Sequence, residues 1–254
     1  MNLFDLTGKT AIVTGGSTGL GAGMSLALAE AGADIVLVDH NERTHIASAI
    51  NKLGRKTLSL TGDLTDLVFI RKVVDDAIGS FDKIDILVNN AGIIRRTPAI
   101  DYSEKDWDDV MNLNSKSLFF LSQAVAQDMM KRGYGKIINI ASILTFTGGL
   151  TVPSYSASKG AVGQITKALA NEWASKGICV NAIVPGYMET NNTKPLREDP
   201  KRFQEISDRI PTGRWGKPDD LKGAVIFLAS NASDYVNGHL LAVDGGWSVS
   251  EGEG

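Results

Sequence analysis

The apolar run Thr10-Ala11-Ile12-Val13-Thr14 stops at Gly15-Gly16-Ser17-Thr18-Gly19-Leu20-Gly21, and a helical stretch follows from about Leu20 to Ala31. Strand, glycine turn and helix in that order leave few folds open. The first turn of a helix carries backbone N–H groups with no intrahelical partner, and glycines let a ligand reach them. Such a terminus holds a diphosphate well, which makes Gly15, Ser17, Thr18, Gly19, Leu20 and Gly21 candidate cofactor-binding positions. The second strand, Asp34–Val38, ends at Asp39, near the distance of roughly 20 residues from the turn expected of a ribose-binding acid. Its carboxylate would accept from the adenosine ribose hydroxyls and repel a 2′-phosphate. Neither Gly16 nor His40 supplies a compensating arginine, although Arg43 follows closely, so the expected cofactor is NAD rather than NADP.

The alternation then repeats. Helical patterns near Thr44–Leu53, Asp66–Ile78, Ser103–Arg132 and Tyr155–Lys176 separate strands at Thr57–Leu60, Ile84–Val88, Lys136–Ile140 and Ile178–Val184. A helix at Asp219–Ser230 and a strand at Leu240–Val243 complete the chain, and Glu251–Gly254 reads as a frayed end. Near-continuous apolar strands between helices imply a parallel sheet covered on both faces. The expected fold is therefore α/β: a three-layer, Rossmann-type doubly wound sheet forming a single domain over residues 1–254. Residues 189–214 turn polar, and Pro195, Pro200 and Pro211 interrupt any long helix there. This loop-like segment is expected to be a substrate lid.

In an open parallel sheet, ligands bind beyond the carboxyl ends of the strands. Asp63 and Leu64 follow the third strand and are placed to approach the adenine edge, although Asp63 is equally suited to form a turn. Asn90, Ala91 and Gly92 follow the fourth, Ser142 the fifth, and Pro185, Gly186, Met188 and Thr190 the sixth. On a helix, Tyr155 and Lys159 share one face, so a phenol and an ammonium can serve one small site. Asn112 and Asn114 sit inside the predicted long helix, where asparagine is unfavourable because its side chain competes for backbone bonds. Their presence calls for a reason.

Bulk composition removes other classes of function. At 43% hydrophobic over 254 residues a large core is possible, while a net charge of -3 with no basic tail argues against nucleic acid. Cys179, the one cysteine, cannot form an internal disulfide, and Met1-Asn2-Leu3-Phe4-Asp5 lacks the form of a signal peptide. A cytoplasmic protein is expected. No apolar run approaches the roughly 18 residues of a membrane span. His40, His45 and His239 lack ligand-like spacing, so no metal is expected.

The ordered set Thr14-Gly15-x-x-x-Gly19-x-Gly21, Asn89-Asn90-Ala91-Gly92, Ser142, Tyr155-x-x-x-Lys159 and Pro185-Gly186 resembles a classical short-chain dehydrogenase/reductase over essentially the whole chain. Within that family, segments around Ile94-Arg95-Arg96, Glu104–Asn114, Gly186–Thr193 and Ser233–Gly238 resemble the sugar-acid dehydrogenases. The resemblance implies an oxidoreductase that interconverts a secondary alcohol and a ketone, assembled as a homotetramer. Free tyrosine titrates near about 10, and a nearby positive charge favours its phenolate. Lys159, with the charged nicotinamide, is expected to provide that charge and make Tyr155 the acid–base. By the resemblance, Lys159 also holds the nicotinamide ribose and Asn114 binds a water linking Lys159 to solvent. Ser142 would hydrogen-bond the substrate oxygen.

A sugar-acid carboxylate needs a cation, and Arg95 or Arg96 at the rim of the site would take it in paired hydrogen bonds. The alternatives are another sugar acid, polyol or 3-oxoacyl substrate on the same machinery, or a nicotinamide-sensing protein without turnover.

Overall fold

The computed structural model describes residues 2–250; the end read above as frayed lies outside them. Seven strands form one parallel sheet: β1 (Thr10–Thr14), β2 (Asp34–Asp39), β3 (Thr57–Thr61), β4 (Ile86–Asn89), β5 (Gly135–Ile140), β6 (Ile178–Pro185) and β7 (Leu240–Val243). Their spatial order is β3-β2-β1-β4-β5-β6-β7. The chain grows outward from β1 to β3, then returns to place β4 against β1, with Ile12 opposite both Val36 and Leu87. The carboxyl ends of β1 and β4 therefore flank the topological switch point, where such sheets bind ligands.

Helices cover both faces. The principal ones are α1 (Gly19–Glu30), α2 (His45–Lys52), α3 (Leu67–Phe81), α4 (Glu104–Met111), α5 (Leu118–Arg132) and α6 (Pro153–Trp173). Beyond β6 come α7 (Lys194–Glu198), α8 (Pro200–Asp208) and α9 (Lys222–Ala229). Successive strand residues point to opposite faces. Ile35 and Leu37 of β2 accordingly pack with Met24 and Leu28 of α1, while Val36 and Val38 pack with Val73 and Val74 of α3. Among the described residues, no helix is long and apolar enough to cross a membrane.

Two expectations change. The single helix predicted from Ser103 to Arg132 is interrupted by a π-helical turn over Asn112–Ser117. Ser115 and Ser117 donate their hydroxyls to the carbonyls of Met111 and Leu113, a pattern that competes with regular helical bonding. The Asn114 side chain is held elsewhere, as described below.

Residues 189–214 are likewise not loop-like, because α7 and α8 occupy much of them. Pro200 begins α8, at a position where its missing N–H needs no partner, and the Asp199 carboxylate caps the Lys201 and Arg202 N–H groups at 3.0 and 3.1 Å. Pro195 and Pro200 stand in the first turns of α7 and α8, and Pro211 lies in a turn beyond the end of α8.

Candidate active site

The β1–α1 turn depends on glycine at two points. Gly15 has φ 61°, a left-handed conformation costly for other residues, and a Cβ on Gly21 would run into the Gly15 carbonyl. The turn is clamped from β4. Asn90 Nδ2 donates to the carbonyls of Thr14 and Gly15 at 2.9 and 3.1 Å, while Thr14 Oγ1 accepts from the Asn90 and Ala91 N–H groups at 3.0 Å each. The Asn90 amide thus shapes the turn while lining the cleft beside it.

Two clefts meet over this turn. One, of about 600 Å³, is lined by Asp39, Arg43, Asp63, Leu64 and Arg95; the other, of about 410 Å³, by Gly19, Leu20, Asn90, Ser142, Tyr155, Lys159, Pro185, Gly186, Met188 and Thr190. Gly15, Thr18, Ala91 and Gly92 line both and join them. Ser17 and Gly21 line neither; they shape the turn. Asp39 accepts from Ser17 Oγ at 2.6 Å and from Ser17 N–H at 3.3 Å, which fixes its carboxylate at the end of β2. Asp63 both lines the cleft and closes a turn, its carboxylate accepting from Thr65 N–H at 2.8 Å. A long double cleft over a glycine turn, with an acid at one end and a tyrosine and lysine at the other, fits an extended dinucleotide.

Tyr155 and Lys159 stand on the first two turns of α6. Lys159 is 5% exposed, and its Nζ donates to the Ile140 carbonyl at 2.6 Å. Burial pushes its pKa down to about 8. Burial also pushes the Tyr155 phenol up, opposed first by a hydrogen bond with Ser142 and then by the charge of Arg96. The ammonium points to Ile140 and lies 5.6 Å from the Tyr155 ring centre, while burial dominates the phenol. Ser142 Oγ accepts from Leu144 N–H at 3.2 Å, and Ser142 lines the same cleft as Tyr155.

Asn114 now has the reason its helix required. Its Oδ1 accepts from Ile93 N–H at 2.9 Å, and its Nδ2 donates to the Ile93 carbonyl at 3.0 Å and to Ser158 Oγ at 3.1 Å. Ser158 in turn donates to the Tyr155 carbonyl at 2.8 Å. The π turn, the loop after β4 and the first turns of α6 are thereby locked together.

The adjacent arginines diverge. Arg95 Nε lies 3.4 Å from Asp106 and Nη2 lies 3.8 Å from Asp109, on the Asp39 side of the cleft. Arg96 Nη2 donates to the Asn192 carbonyl at 3.2 Å, while burial lowers its pKa against the opposing influence of the Tyr155 and Tyr187 phenols.

Sequence reasoning missed the polar floor of the site. Asn89 Nδ2 donates to Ser122 Oγ and Asn139 Oδ1, and Asn139 Nδ2 donates to Thr166 Oγ1, each at 2.9 Å. These buried bonds tie β4 and β5 to α5 and α6. An asparagine inside the run Lys136–Ile140 was the available signal. At the other end of the sheet, Asp85 is 1% exposed and binds Thr10 N–H and Arg132 Nη1, each at 3.0 Å.

The fold and this arrangement agree with the sequence comparisons. The chain belongs to the short-chain dehydrogenase/reductase family of oxidoreductases acting on CH–OH groups, and a family profile described as enoyl-(acyl carrier protein) reductase matches residues 15–248. It is 60% identical over 248 residues to 2-dehydro-3-deoxy-D-gluconate 5-dehydrogenase of Dickeya dadantii, covering 97% of this chain and 98% of that one. The Escherichia coli protein of the same name is 58% identical, with the same coverage. A gluconate 5-dehydrogenase from Burkholderia cenocepacia, solved in complex with NADP and tartrate, superposes with a TM-score of 0.94 at 41% identity, covering 98% of both chains.

Proposed function

We propose that this protein is an NAD-dependent dehydrogenase of a sugar acid, namely a 2-dehydro-3-deoxy-D-gluconate 5-dehydrogenase serving pectin and uronate breakdown. One observation carries the reading: Ser142, Tyr155 and the buried Lys159 line one end of a dinucleotide-sized double cleft whose other end is lined by Asp39. The identity of 60% and 58% to enzymes of that name supports the substrate.

A secondary alcohol gives up hydride only if its hydroxyl proton also leaves. Bound at the cleft, the nicotinamide supplies the hydride acceptor in oxidation and the donor in reduction. Tyr155 takes the substrate's hydroxyl proton in oxidation and returns it in reduction. Burial pushes its phenol up, so Lys159 and Arg96 must offset that burial for the phenolate to form near neutral pH. Ser142 donates to the substrate oxygen and steadies its developing charge. Lys159 holds the nicotinamide ribose, and Asn114 serves the water relay between Lys159 and solvent.

Arg96 takes the carboxylate, since Arg95 is already paired with two aspartates. Residues 189–214 close over the substrate as a lid. Asp39 favours NAD, although Arg43 lines the same cleft and the Burkholderia relative binds NADP. A cytoplasmic homotetramer completes the reading and is checked by cell fractionation and light scattering.

The test is a reduction assay with NAD and with NADP across sugar acids, polyols and hydroxyacyl compounds. Highest kcat/KM in the 2-dehydro-3-deoxy-D-gluconate couple with NAD is the expected result. Absence of turnover on any sugar acid overturns the substrate assignment.

A further inference from the structure

Ser142 and Lys159 reach the cleft from different elements, one just beyond β5 and the other early in α6, and one side chain bonds to the backbone of both. Thr145 Oγ1 accepts from the Ser142 N–H at 3.3 Å and donates to the Lys159 carbonyl at 2.9 Å. A hydroxyl has one proton to give and two lone pairs to receive, so a single oxygen makes both bonds. The Thr145 N–H also donates to the Ser142 carbonyl at 2.8 Å, closing the short turn Ile143–Thr145. Within that turn Ser142 Oγ accepts from Leu144 N–H, so the hydroxyl that lines the cleft takes its position from the turn.

The seat on α6 is shaped for this side chain. Gly163 lies one turn beyond Lys159 on the same face, and a Cβ there would stand only 2.7 Å from Thr145 Cγ2. With its methyl against Gly163 and its hydroxyl on the Lys159 carbonyl, Thr145 is held by both branches in one rotamer. Lys159 Nζ in turn donates to the Ile140 carbonyl, on the strand that delivers Ser142. The two contacts close a ring: from Lys159 Nζ to Ile140, along the chain through Ser142 and its turn, and back through Thr145 Oγ1 to the Lys159 carbonyl. Placement of a reacting group to within a fraction of an ångström governs rate, and an error of about 1 Å costs about a hundredfold.

Resting on the roles given above to Ser142, Tyr155 and Lys159, and not on which sugar acid is bound, we infer that Thr145 is a positioning residue whose hydroxyl fixes Ser142 against the helix that carries Tyr155 and Lys159. Thr145 lines neither cleft and acts through Ser142. Since Ser142 steadies charge that develops in the transition state, the effect falls on kcat and not on KM.

Thr145→Val keeps the branched shape and removes the hydroxyl, whereas Thr145→Ser keeps the hydroxyl and removes the methyl. With the compound of highest wild-type kcat/KM in the panel above, Thr145→Val is expected to lower kcat about tenfold with KM within about twofold, and Thr145→Ser to stay within about threefold of the wild type. The decisive comparison is made in a Ser142→Ala background. There Thr145→Val should lower the residual kcat by less than about twofold, because the group it places is already gone. A merely structural role carries the same loss into that background, so equal losses with and without Ser142 overturn the inference, as does an unchanged kcat in Thr145→Val alone. If Thr145→Val does not fold, Thr145→Cys, whose thiol is only a weak donor and acceptor, replaces it in the same comparison. Absence of wild-type turnover across the whole panel overturns the functional reading and this inference with it; turnover with equal losses overturns this inference alone.

Discussion

The Lys159 ammonium donates to the Ile140 carbonyl at 2.6 Å, across the short gap between the first turns of α6 and the carboxyl end of β5. This bond holds a cation at the mouth of the site, and it does so at the expense of stability. The folded pKa of about 8 lies below the ordinary lysine value of 10.5, so the charged form is penalised on folding. The penalty is fully present below about pH 8 and is relieved as pH rises from there toward 10.5. With each tenfold change in proton affinity worth about 1.4 kcal/mol, it amounts to about 3 kcal/mol. Lys159→Met should therefore lower kcat/KM by about a thousandfold yet unfold at higher urea concentration at pH 7. Its stability advantage should shrink to about 1 kcal/mol near a pH of about 9.5. Equal stability at both pH values would contradict the assignment.

Cofactor choice turns on two residues lining one cleft. Asp39 is fixed by two bonds from Ser17, so its charge cannot swing away from a 2′-phosphate. Asp39→Ala should raise kcat/KM with NADP by about tenfold or more and lower that with NAD. Adding Arg43→Ala should reverse much of the NADP gain, because Arg43 lines that cleft with Asp39 while Arg95 there is paired with Asp106 and Asp109. Steady-state kinetics with both cofactors reads each change.

The two neighbouring arginines should behave differently. Arg96→Ala is expected to cost about tenfold to a hundredfold in kcat/KM for the sugar acid, as loss of a charge-assisted bond does. Arg95→Ala should stay within about threefold, since that guanidinium is occupied by Asp106 and Asp109. Equal and large losses for both would mean that the Asp106–Asp109 contacts position the substrate as well.

Asn139 is fully buried and bonded on both sides of its amide. Asn139→Ala removes one buried partner from each of Asn89 and Thr166, which keep their bonds to Ser122 and the Val162 carbonyl, and should cost about 1–3 kcal/mol in urea unfolding. Activity of the folded fraction should fall less than in Tyr155→Phe, because Asn139 lies beneath the site.

Much of the site was legible from residue order. The turn at Gly15–Gly21, Asp39 at the end of β2, Ser142 just beyond β5 and Tyr155 on the helix that follows come from strand and helix periods together with the rule for where open sheets bind ligands. The π turn was not legible, because it needs Ser115 and Ser117 to bond backward along the helix while Ile93 holds Asn114 from another segment. The helices after Thr190 were hidden for a related reason. Prolines read as interruptions until Asp199 is seen to cap α8 and Ile206 to pack with Trp215.

The sequence by itself determined the alternation of strands and helices, the glycine turn and the chemical groups available at the strand ends, since these depend on neighbours a few positions apart. Only the tertiary structure decided that Lys159 points to Ile140 and that Arg95 pairs with Asp106 and Asp109 while Arg96 reaches the Asn192 carbonyl. Those outcomes depend on distances and burial between segments far apart in the chain. Such distances exist only once the sheet is assembled and its two faces are covered.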